Sequence, residues 1–139
     1  METLVYPDAL RGIVALLREF DVYPVRPELI VPTDYYNHEG PTVVHVQQIN
    51  STEGTVDRVQ EVRLTAYGHQ PLQSQDIIEA ILAYITGDGI YTPAIPDLTD
   101  AFYFDSIRQR VGPSMLDWPT DQVFPASATV DARARPMNT

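Results

Sequence analysis

Cysteine is absent from the 139 residues. Disulfides, thiolate nucleophiles and cysteine-ligated zinc or iron–sulfur centres are therefore excluded, which fits a reducing compartment. Lysine is absent too, and the nine basic residues are all arginine, a usage that fits the codon bias of a GC-rich genome. No apolar run approaches the roughly 20 residues of a membrane span. The opening Met1-Glu2-Thr3-Leu4 lacks the basic and apolar regions of a secretory signal, so a soluble, non-exported chain without membrane contact is expected. Positive charge is scarce: nineteen acids give a formal net charge of −10. Ten acids and five arginines fall in residues 1–70, nine and four in 71–139, so the acidity is dispersed and forms no tail. Such a surface repels a phosphate backbone and argues against nucleic-acid binding by charge neutralisation. It suits a wall past which DNA slides without sticking.

Catalytic motifs are missing as well. The three histidines are His38, His45 and His69. His38-Glu39 opens like a zinc-protease motif, but Thr42 stands where the second histidine belongs, so the spacing gives no metal site. There is no nucleophile elbow, phosphate-binding loop or GxGxxG turn. Gly87-Asp88-Gly89 follows an expected helix, where a C-cap needs glycine, whereas a dinucleotide site needs it before one. Phe102, Tyr103 and Phe104 suggest a base-stacking platform, but successive strand residues point to opposite faces and no basic surround exists. Core packing accounts for them better. The expectation is a protein without catalytic residues, cofactor or metal.

What is present is enough apolar residue, 44%, for one core in a single domain over 1–139. Leu10, Ile13, Val14 and Leu17, widened by Leu16 and Phe20, predict an amphipathic helix over 7–20, with Pro7 in its first turn. Residues 22–41 hold Pro24, Pro27, Pro32 and Pro41 and predict a long loop, because proline is excluded from central strands. Residues 42–49 and 56–67 alternate as a hairpin with one buried face. Val59 falls out of phase with Val62, which predicts a bulge near Gln60. Ile77, Ile78, Ile81, Leu82 and Ile85 predict a helix over 74–85, N-capped by Ser74 and ended by Gly87-Asp88-Gly89. Strands over 102–111 and 126–135 follow, separated at Gly112-Pro113. The last is the clearest, with Ala126, Ala128, Val130, Ala132 and Ala134 alternating with polar residues. Residues 136–139 read as a frayed end. The expected fold is α+β, with two helices packed on one face of a mainly antiparallel sheet of about four strands, in the order α-β-β-α-β-β.

The residues most suggestive of binding are arginines and exposed aromatics. Arg108 and Arg110 share one strand face, as do Arg133 and Arg135, with Asp100 and Asp105 as nearby candidate partners. Either they form solvated cross-strand ion pairs of little energetic weight, or they dock on acidic groups of a neighbouring subunit. Tyr35 and Tyr36, in the proline-rich loop, and Trp118, between the last two strands, are further candidate contacts.

The element pattern and short signatures resemble the tail terminators of long-tailed bacteriophages, also called tail-completion or tail-to-head joining proteins. The resemblance rests on the first helix, on Val62-Arg63-Leu64-Thr65-Ala66-Tyr67-Gly68 and on the second helix. It also rests on Ser106-Ile107-Arg108-Gln109-Arg110-Val111-Gly112-Pro113 and on Ala128-Thr129-Val130-Asp131-Ala132-Arg133-Ala134-Arg135. The segment 22–41 and Asp117-Trp118-Pro119 depart from it. The resemblance implies a virion protein of the tail or neck, made in the host cytoplasm. It implies a ring, commonly of six subunits, that caps the head-proximal end of the tail tube. Its partners would be further copies of itself, the major tail tube protein, a head-completion or connector protein and the tape-measure protein, with DNA passing through the lumen. Other neck components, a tail-tube subunit, a small oligomeric enzyme with an inter-subunit site and a monomeric adaptor are the competing readings.

Overall fold

The computed structural model describes residues 4–5, 9–28, 42–53, 58–91, 103–115, 124–134 and 137–138. In chain order the elements are β1 (Leu4–Val5), α1 (Ala9–Arg18), β2 (Val25–Glu28), β3 (Thr42–Glu53), β4 (Arg58–Gly68), α2 (Pro71–Ile85), β5 (Gly87–Tyr91), β6 (Tyr103–Met115), β7 (Phe124–Ala134) and β8 (Met137–Asn138). Six strands form one curled sheet in the order β2-β3-β4-β7-β6-β5, antiparallel throughout except for the parallel pair β2–β3. β1 and β8 pair separately as an antiparallel ribbon.

This corrects the expected four-stranded sheet with order α-β-β-α-β-β, and each added strand has a local cause. β2 contains Pro27 and falls in the stretch expected to be loop. An edge strand tolerates proline because one side of its backbone needs no ladder donor, and β2 is an edge. β5 begins where the second helix is expected to be ended by glycines. The helix stops at Thr86 instead, whose N–H and hydroxyl both donate to the Leu82 carbonyl at 3.0 and 2.6 Å. Gly87 (φ 143°) and Gly89 (φ 64°) then take conformations that side chains disfavour, turning the chain into β5.

Three boundaries also move. Ser74 does not cap α2: the helix starts at Pro71, and Gln70 occupies the N-cap without a side-chain bond. Ser74 is fully buried one turn inside, where its Oγ accepts the Gly68 N–H at 2.9 Å and ties the end of β4 to the helix. The bulge lies not at Gln60 but on the partner strand, between Gln48 and Asn50. β6 runs through Gly112-Pro113, absorbing it as shifts of register between Gln109, Val111 and Ser114.

Both helices pack into one core with the sheet, α1 over β2, β3 and β4 and α2 over β4, β6 and β7. The register aligns Val44, Val46, Val62, Leu64 and Ala66 with Ala126, Ala128 and Val130 on the helix side. The alanines of β7 are small, which leaves room for Ile77, Ile78, Ile81 and Ile85 of α2, all essentially buried. Each such isoleucine contributes about 1.5–3 kcal/mol of burial. Residues 12–17 of α1 are buried without interruption, more than a single stripe would require. Nor is the other face of the sheet uniformly open: Val43, Thr65, Pro125 and Thr129 are buried on it, whereas the expected hairpin had one buried face.

Candidate functional site

Strand alternation sends Glu61 and Arg63 of β4, Ser106 and Arg108 of β6, and Asp131 and Arg133 of β7 to the face opposite the helices. Arg63, Arg108, Arg110 and Arg133 are exposed there. The pairing of β4 with β7 sets Glu61 directly across from Asp131. Two carboxylates at facing positions repel unless a cation intervenes. Arg110 is that cation: its Nη1 donates to Asp131 Oδ2 at 3.0 Å and its Nε lies 3.5 Å from Glu61 Oε1. The hydrogen bond and charge of Asp131, with the charge of Glu61, push the guanidinium pKa up from its already high ordinary value. Asp131 Oδ1 is buried and has no hydrogen-bond partner.

Arg108 stands opposite Asp131 in the ladder but bonds to Asp88 of β5. The result is a row of alternating charge, Asp88, Arg108, Asp131, Arg110, Glu61, that crosses four adjacent strands from β5 to β4. These pairs are largely exposed and contribute little to stability. Their effect is to hold the guanidinium groups in a fixed array. Arg133 sits one ladder position further on, opposite Ser106 and Val59.

Of the residues singled out in the sequence, Arg108, Arg110 and Arg133 share this face. Arg135, Tyr35, Tyr36 and Trp118 lie outside the described residues, as does Asp100. Arg108 is paired with Asp88, and Arg110 with Asp131 and Glu61. Asp88 was hidden because β5 was not expected as a strand. Glu61 and Asp131 could be seen to point outward, but which strand pairs with β4 is a tertiary fact. Phe104 is fully buried, as core packing requires, whereas Tyr103 is exposed and packs its ring on Tyr91, centroids 4.8 Å apart.

A second surface, on the far side of the helical layer, was not anticipated. The buried isoleucines of α2 leave Leu72, Asp76, Glu79 and Tyr84 outward. Leu72 is 70% exposed, a large apolar side chain left in water. With Tyr23, Gln70, Gln73 and Asp76 it lines an open groove between α2 and the turn after α1. Val22 is exposed beside Tyr23, and Tyr84 packs against Phe20 with centroids 5.5 Å apart. The available signal was the position of Leu72, which falls off the apolar stripe of its own helix.

Among the described residues no group of three or more His, Asp or Glu side chains is placed to hold a metal ion, and no helix is long and apolar enough to cross a membrane. No protein-family model matches the chain, and comparison with curated proteins finds no match.

Proposed function

We propose that this chain is a tail terminator of a long-tailed bacteriophage. Copies of it form a ring on the head-proximal end of the tail tube, which ends tube polymerisation and offers the surface to which the head connector joins. Its role is structural. The major tail tube protein, a head-completion or connector protein and the tape-measure protein are its partners, and DNA passes through the lumen without specific binding. The observation that carries this reading is the open face of the long-stranded sheet. It displays an ordered array of guanidinium groups in a chain with a net charge of −10, as suits docking on acidic protein surfaces. The segments that carry the resemblance fall on α1, β4, α2, β6 and β7, the elements that build the core and this face.

A tail-tube subunit is the second reading, favoured by one observation: the sheet has six strands, two more than expected. The test separates the two. Purified protein is examined by light scattering and negative-stain microscopy, alone and with preformed tail tubes. A terminator gives single rings and capped tubes of arrested length. A tube subunit polymerises into long tubes. A chain that forms no rings, caps no tubes and makes no tubes of its own at any workable concentration refutes both.

A further inference from the structure

We draw no further inference here: the strongest candidate, the open groove between α2 and the turn after α1 lined by Tyr23, Gln70, Leu72, Gln73 and Asp76, carries none because nothing in the structure shows what covers it.

Discussion

Gln60 shows how one polar side chain can belong on an apolar face. It is 1% exposed among the valines and alanines of the helix side, and its Oε1 accepts the N–H of Ala9 at 3.2 Å. Ala9 begins α1, and the first N–H groups of a helix have no carbonyl within it to bond. Gln60→Leu preserves much of the volume and removes the acceptor. The expected cost is about 1–3 kcal/mol, the penalty for a stranded buried donor, read as a lower denaturant midpoint at unchanged slope. Equal stability of variant and wild type would mean that the N–H finds another acceptor. Tyr67 has the opposite sensitivity. Burial raises its phenol pKa above the ordinary value of 10.0, so the unfolded chain releases this proton first. Its contribution is complete below about pH 10 and is lost as pH climbs through the raised value. As pH rises above about 10, Tyr67→Phe should therefore lose less stability than wild type. Parallel pH profiles would rule this group out as a source of alkaline sensitivity.

At the scale of elements, Gly112 decides whether β6 can stay in the sheet. Its φ is +95°, and a Cβ there would lie 2.7 Å from the Ser127 carbonyl oxygen and 2.8 Å from the Ala128 Cα. Both neighbours are backbone atoms of β7 and cannot rotate aside. Gly112→Ala combines a strained backbone with a collision, and about 2–4 kcal/mol of destabilisation is expected. Chemical denaturation measures it; a change under about 0.5 kcal/mol would mean that the ladder shifts freely there. The same element shows why the sequence was only partly legible. The helical stripe of α1 and the alternation of β4 and β7 stand out because their burial follows a simple period. β2 and β5 escaped because Pro27, Gly87 and Gly89 are turn residues by local preference, and only a neighbouring strand makes them part of a ladder. The outward arginines were legible from alternation, but their carboxylate partners depended on β5 and on the β4–β7 register. The Leu72 groove needed two segments brought together in space.

For the whole molecule, a contact made through arginine and carboxylate faces must be sensitive to salt, since the screening length falls from about 10 Å at 0.1 M to about 3 Å at 1 M. Association of the wild-type chain should weaken steadily between about 0.05 and 0.5 M sodium chloride while the fold persists. Sedimentation velocity at three or four ionic strengths tests this. Association that strengthens with salt would place the contact on apolar surface instead, with Leu72, Val22 and Tyr84 as its centre.

The pairing of β4 with β7 has a kinetic consequence. β3–β4 and β6–β7 are each pairs of neighbours in the chain, and the β4–β7 seam is what makes one sheet of them. That seam joins Gly68 to Phe124 and Arg58 to Ala134, so dozens of residues must be looped out before its first bond forms. Search of this kind slows folding, because chain entropy is lost before the contacts return it. The hairpins should form early and the seam late. Substitutions at Val62 or Val130 that weaken the seam would then chiefly slow refolding and leave the unfolding rate nearly unchanged.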